Sequence, residues 1–234
     1  MSRPVLELFE VSKDYRGLRP LRIDRLVVGE AESIAILGLD LVGAEVFVNL
    51  VMGTALPEGG EVKLFGRPTT AIGDSSEWLA AVDRFGIVSQ RAVLLDGLSV
   101  IQNLAMPFTL NIEPPPADIR DRAAVLARDV GLPESASSQP VAELGAESRA
   151  RVRLARALAL DPAILLLEHP TAEFAPTDVE PFARDVRAVA ARRRIAAIAI
   201  TADDVFARAV ADRVLRLDAA SGKLIERRGW FRRT

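Results

Sequence analysis

The stretch that most constrains this chain is "SIAILGLDLVGAEVFVNLVMG", residues 33–53. "SIAIL" is an apolar run too short for a helix, and it fits a strand buried on both faces. Gly38 and Gly43 follow, separated by four residues, which is the glycine spacing of a phosphate-binding loop. Val46, Phe47, Leu50 and Val51 then recur at helical spacing, and Gly53 is placed to end the helix. Strand, glycine loop and helix is the order such a loop requires, because the N–H groups at a helix N-terminus attract the anion. Yet Ala44 and Glu45 occupy the places of the lysine that neutralises the terminal phosphates and the hydroxyl that holds magnesium. Losing one cation about 4 Å from a phosphate charge forfeits roughly 4 kcal/mol at an effective dielectric of about 20. The Glu45 carboxylate competes for the same place. Two readings of Glu45 follow. Together with Asp40 it stands in electrostatically for the missing phosphate, where a first-turn acid is worth about 0.3 to 1 kcal/mol, or it is a solvated acid.

The remaining segments alternate in the same manner. "VLELFEV", "LRIDRLVV", "EVKLFG" and "FGIVSQ" read as strands, the last ending in the polar Gln90. Residues 114–160 open with "PPP" and continue as Ala-rich, Arg-rich helical sequence. "AILLLE" and "IAAIAIT" are buried strands, with a helix over residues 179–193 between them. Buried strands alternating with helices imply an α/β fold whose parallel sheet is covered on both faces. With 234 residues, half of them apolar, the chain can bury one substantial core, so a single domain over residues 1–234 is expected. No apolar run is long enough to span a membrane. The N-terminus, "MSRPVLELFEVSKDY", carries acids where a secretory signal needs an apolar block, and reads as the first strand. The absence of cysteine excludes a disulfide framework and a thiolate metal site, and a cytoplasmic location is expected. A net charge of −2 argues against a nucleic-acid binder, which gathers excess Lys and Arg. The tail "RRGWFRRT" is the local exception. It reads as a frayed terminus or as a contact to anionic headgroups, where each basic residue gains about 1 kcal/mol.

Four ordered segments together resemble the nucleotide-binding subunit of an ABC transporter, from about Leu6 to Glu226. "VSKDYRG" resembles the adenine-stacking segment, with Tyr15 as the aromatic. "GIVSQRAVLLDGLSVIQNLAMP" resembles the glutamine loop that faces the membrane subunits, with Gln90 as the glutamine. "RARVRLARALALDPAILLLEHPTAE" is similar to the signature helix followed by the second phosphate-site strand. The resemblance implies a P-loop NTPase-type core with N-terminal antiparallel strands and a helical subdomain over roughly 91–160. It implies ATP with magnesium as ligand, bound through Tyr15, Gly38, Gly43 and Gln90. It also implies docking on a transmembrane permease at the inner face of the membrane, and a dimer formed with itself or with another ATP-binding subunit.

The family's chemical positions are replaced. The signature segment reads Leu144, Gly145, Ala146, Glu147, Ser148, with Gly145 at the serine and Glu147 at the second glycine. The Glu147 carboxylate is expected to face the phosphate it should bind, and Ser148 to be a surface cap. Glu168 matches the magnesium-holding aspartate and keeps a weak capacity for metal. His169 matches the glutamate that polarises water, and reads as a general base or as a polar surface residue after a strand. The switch histidine falls at Ala202 and a further family aspartate at Ala175. Each site of such a dimer joins one subunit's phosphate loop to the other's signature. A homodimer would therefore lack both halves at each site, and a heterodimer with an intact partner would lack one half at each. The expected role is a degenerate ATP-binding subunit with weak or absent hydrolysis. The rivals are a noncanonical ATPase that still powers transport and a soluble scaffold that uses the fold for another partner.

Overall fold

Apolar runs of strand length separated by amphipathic helices build two sheets with helices between and around them. The computed structural model describes residues 3–226, so the basic tail lies outside the described residues. The first half of the chain forms β1 (Pro4–Lys13), β2 (Leu21–Gly29), β3 (Ser33–Leu37), α1 (Leu41–Val51), β4 (Gly59–Leu64), β5 (Arg67–Pro68), α2 (Ser75–Val82) and β6 (Phe85–Ser89). Then come α3 (Val100–Ala105), α4 (Ala117–Asp129) and α5 (Ala146–Ala157). The chain continues through β7 (Ile164–Glu168), α6 (Pro176–Arg193), β8 (Ala196–Ile200), α7 (Asp204–Val210), β9 (Arg213–Asp218) and β10 (Lys223–Glu226).

Strands β2, β1, β4 and β5 pair in that order, antiparallel throughout. The second sheet runs β10, β9, β3, β8, β7, β6, parallel except for the β10 edge. Strands β3, β7 and β8 are buried at every residue, as their unbroken apolar sequences require. Ile34, Ile36, Ile164, Leu166, Ile198 and Ile200 turn to one face of the sheet, where α1 inserts Phe47, Leu50 and Val51 beneath the antiparallel sheet. Ala35, Leu37, Leu165, Leu167, Ala197 and Ala199 turn to the other face, against Phe182 of α6 and Phe206 of α7. Helices α3, α4 and α5 pack on one another at the margin of this second core.

The strands read from sequence are present. The helix expected over 179–193 starts earlier, at Pro176, because proline at the first helical position gives up no needed N–H. Gly53 ends the helical turn after α1 with φ +71°, a backbone conformation open to glycine at no steric cost. Elements α2, α7, β9 and β10 carry no strong periodicity of their own; α7 is held by its Asp203 cap, and β9 by pairing with β3.

The Phe182 ring stacks on Phe206 at 6.1 Å and meets Phe174 edge-on at 5.2 Å. Phe182→Ala should cost about 3 to 5 kcal/mol of unfolding free energy, read as a lower denaturation midpoint at an unchanged urea slope.

Candidate functional site

The carboxyl ends of the parallel strands gather the loops that the sequence singles out. After β3 the chain turns at Gly38, with φ +97°, and a Cβ there would stand 2.8 Å from the Leu217 carbonyl oxygen of β9. A Cβ on Gly43 would already stand 3.0 Å from Asp40 Oδ1 and 3.2 Å from Leu39 Cδ2. Gly38 is therefore demanded by backbone packing whatever the loop binds, whereas a side chain at Gly43 would be crowded by the Asp40 and Leu39 side chains. Asp40 is the N-cap of α1, and its Oδ1 accepts from the Gly43 N–H at 2.7 Å, while the Ala44 N–H donates to the Asp40 carbonyl at 2.8 Å. Ala44 is wholly buried in the core under the loop.

Glu45 does not cap the helix. It lies beyond the first turn of α1, and its carboxylate meets Arg91 Nη1 at 2.6 Å. Arg91 Nη2 donates at 2.6 Å to Oε2 of Glu168, the last residue of β7. One guanidinium therefore bridges the phosphate-loop helix and the strand that carries the metal-type carboxylate. The Glu168 side chain is only 7% exposed, whereas Arg91 and Glu45 are about half exposed at 47% and 48%. The buried carboxylate thus depends on Arg91 for its counter-charge more than Glu45 does. These groups line a cavity of about 240 Å³ together with Leu41, Val42, Ser89, Gln90 and His169. Gln90 is exposed at its rim, and the Ser89 Oγ accepts from the Arg91 N–H at 3.2 Å.

His169 is not the polar surface residue considered from sequence: it is 8% exposed and holds φ +42°. Its N–H donates to the Ile200 carbonyl at 2.8 Å, which ties the turn after β7 to the end of β8, while its Nε2 is buried without a hydrogen-bond partner. Ala202 offers only a methyl in the neighbouring loop, which is instead organised by Asp203. That carboxylate caps α7 by accepting from the N–H groups of Val205 and Phe206, and it also accepts from the Thr171 hydroxyl at 3.2 Å. Ala175 is the N-cap of α6 and makes no side-chain cap bond.

The signature-like residues stand at the start of α5, whose N-cap is Gly145. Ser148 is therefore not a cap; its hydroxyl donates to Glu147 at 3.3 Å. Nor is the Glu147 carboxylate free to face a ligand, because it pairs with Arg151 one turn on. Arg151 is almost wholly buried and also donates to Asp185 of α6 at 2.7 Å and to the Val130 carbonyl. Burial alone would depress this guanidinium, but the hydrogen bonds to Glu147 and Asp185 outweigh it and leave it above its ordinary pKa. Tyr15 does approach the phosphate loop: it lines a cavity of about 140 Å³ with Gly38, Asp40 and Gly43. Its ring edge lies so close to Gly17 that a Cβ there would stand 2.6 Å from it. Beyond Gln90, a groove of about 240 Å³ opens among Phe85, Ile87, Ala92, Pro107, Arg156 and Leu160.

Residues 21–172 match the family model described as ABC transporter. The chain belongs to the ABC transporter family. The lipoprotein-releasing system ATP-binding protein LolD of Pseudomonas syringae pv. tomato is 31% identical over 86% of this chain and 87% of its own length. The methionine import ATP-binding protein MetN of Brucella abortus is 30% identical over 93% of this chain, which spans 58% of that relative's length. In fold, the chain is similar to cbiO1 of Clostridium perfringens, part of the ABC transporter complex cbiONQ, with a TM-score of 0.81 and 23% identity over 96% of this chain and 88% of that one. The bacterial ABC transporter cassette MJ0796, solved as a dimer, gives a TM-score of 0.76 with 24% identity over 95% and 98%. These neighbours share the P-loop NTPase fold that the ABC resemblance implied.

Within this ABC cassette the residue that sequence reasoning passed over is Arg91, which lay unremarked in the segment that resembles the glutamine loop. Nothing in the local pattern pointed to it: Glu45, Arg91 and Glu168 meet only in the folded chain.

Asp40→Ala should lower stability by about 0.5 to 2 kcal/mol, the usual worth of an N-cap. Glu45→Gln should cost about 0 to 1 kcal/mol, as expected of a half-exposed ion pair. Urea denaturation of the two variants checks the order; a larger loss for Glu45 would restore it as the helix's stabilising acid.

Proposed function

We propose that this chain is a degenerate ATP-binding subunit that docks on a transmembrane permease and acts structurally or regulatorily, with weak or absent hydrolysis. The observation that carries the reading is that the groups a magnesium nucleotide would need are engaged internally. Asp40 takes the Gly43 amide, Arg91 takes the carboxylates of Glu45 and Glu168, and Ala44 brings no cation to the terminal phosphates. The residues present do not fit magnesium ATP. Glu147 and Gly145 weaken the half-site that the chain would lend to a partner, since neither supplies a hydroxyl and Glu147 is committed to Arg151.

Transport is supported by the relatives' names, methionine import and lipoprotein release. Among the described residues no helix is long and apolar enough to cross a membrane, in keeping with a partner that supplies the membrane path. The groove lined by Ala92 and Pro107 suits a short amphipathic element of a permease. Leu160, on its wall, is 58% exposed, and Arg153 and Arg156 line it as well. Assembly as a dimer, with itself or with a second ATP-binding subunit, follows the dimeric MJ0796 cassette by analogy. A location at the inner face of the membrane follows from such a permease partner.

A noncanonical ATPase is the second reading, favoured by His169 lining the same cavity as Glu168.

Calorimetry with magnesium ATP, at protein concentrations able to detect a dissociation constant near about 1 mM, or about −4 kcal/mol, tests the first reading. No heat and no thermal shift are expected; clear binding would overturn it. Turnover above background that disappears in Glu168→Gln would establish the second reading. Co-purification of the chain with a membrane protein tests the docking role.

A further inference from the structure

We propose that Arg91 is a tethered cation that latches the Gln90 loop to α1 and β7, so that the loop's conformation is set without metal or nucleotide. Strands β6 and β7 are already paired up to Ser89 and Glu168, and the two ion pairs of Arg91 add a side-chain tie from the loop after β6 to the helix α1 through Glu45 and to the end of β7 through Glu168. Each terminal nitrogen of the planar guanidinium serves one carboxylate, a fixed fork that a single ammonium cannot reproduce. The carboxylates it neutralises are those at the magnesium-type positions, so the fixed arginine supplies the positive charge that an exchangeable cation would bring.

The rest of the loop is pinned with it. The Ala92 N–H donates to the Ser89 carbonyl at 3.0 Å. Arg153 Nε donates to the Ala92 carbonyl at 3.2 Å, and Arg156 Nη1 to the Val93 carbonyl at 2.6 Å. Arg149 pairs with Asp96 at 3.0 Å, and the Leu95 N–H donates to Asn103 Oδ1 at 2.9 Å. All three of these arginines come from α5 and Asn103 comes from α3, so the segment from Arg91 to Asp96 is strung between the sheet's carboxyl edge and two helices. Burial depresses the guanidinium groups of Arg153 and Arg156, and each donates to a loop carbonyl. The latch stands on these contacts alone. Its consequence for a permease, a docking face presented in one fixed arrangement, rests on the function proposed above.

Amide hydrogen exchange of the isolated chain tests the latch without ATP or permease. In the wild type, protection of the Arg91 and Ala92 amides should be the same in EDTA and in millimolar magnesium chloride. Arg91→Ala should exchange at least about tenfold faster at these amides, with β3 and β8 unchanged. Magnesium should slow that exchange again, and should fail to do so once Glu168→Gln is added. Glu45→Gln, which removes one exposed arm and leaves the core intact, should show a smaller acceleration at the same amides, and it serves if the arginine variant does not fold. Unchanged exchange in Glu45→Gln and in any folded Arg91→Ala would overturn the latch, as would magnesium protection of the wild-type loop. If Arg91→Ala loosens the loop but magnesium does not tighten it, the guanidinium is not standing in for a divalent cation. ATP binding seen by calorimetry with the latch intact would remove the proposed function and leave this inference standing.

Discussion

The centre of the second sheet is apolar on both faces, and the rest of the molecule follows from that. Strands β3, β7 and β8 have no exposed residue, so their polar groups are confined to the ladder and to the strand ends. Helix α1 and the antiparallel sheet must cover one face, and α3 to α7 the other. Polar side chains can then gather only where the strands finish. Gly38 after β3, Gln90 after β6, Glu168 at the end of β7 and Thr201 after β8 all lie on that carboxyl edge, the place where open α/β sheets carry their ligands.

At this edge the protein balances its charges with its own side chains. A helix N-terminus and a buried carboxylate both demand a counter-charge, and in a loop of this type a nucleotide and its metal would bring them. Here Asp40 supplies the anion at the Gly43 amide and Arg91 the cation between Glu45 and Glu168. The glycines persist for reasons of packing. Gly38 passes too close to Leu217 for a Cβ, and Gly43 has little room beside Asp40 and Leu39. The Gly38 position thus has a packing reason that is independent of any lysine or hydroxyl in the loop. The same logic holds at α5, where Arg151 absorbs the charge of Glu147 with help from Asp185 of α6.

Much of this was legible along the chain. The strand, loop and helix of residues 33–53, the buried β7 and β8, and the positions of Tyr15, Gln90 and Glu168 follow from local pattern and from motif order. Three features did not. His169 lies on a short polar segment that reads as exposed, yet its backbone bond to Ile200 draws it under the edge of the sheet. One of the two readings of Glu45 placed it with Asp40 as a first-turn acid standing in for a phosphate, but where α1 starts leaves Asp40 alone at the cap and Glu45 beyond the first turn. Arg91 and Glu168 are 77 residues apart in sequence, and no periodicity connects them.

What the sequence determined by itself is the fold and the missing groups: apolar runs decide what must be buried, and an alanine at position 44 is an absent cation in any conformation. What only the tertiary structure decided is which charges meet. A carboxylate's partner is set by the few ångströms around it, and those come from strands β6 and β7 lying side by side with α1 above their ends. Glu45, Arg91 and Glu168 became one group only when the sheet closed around them.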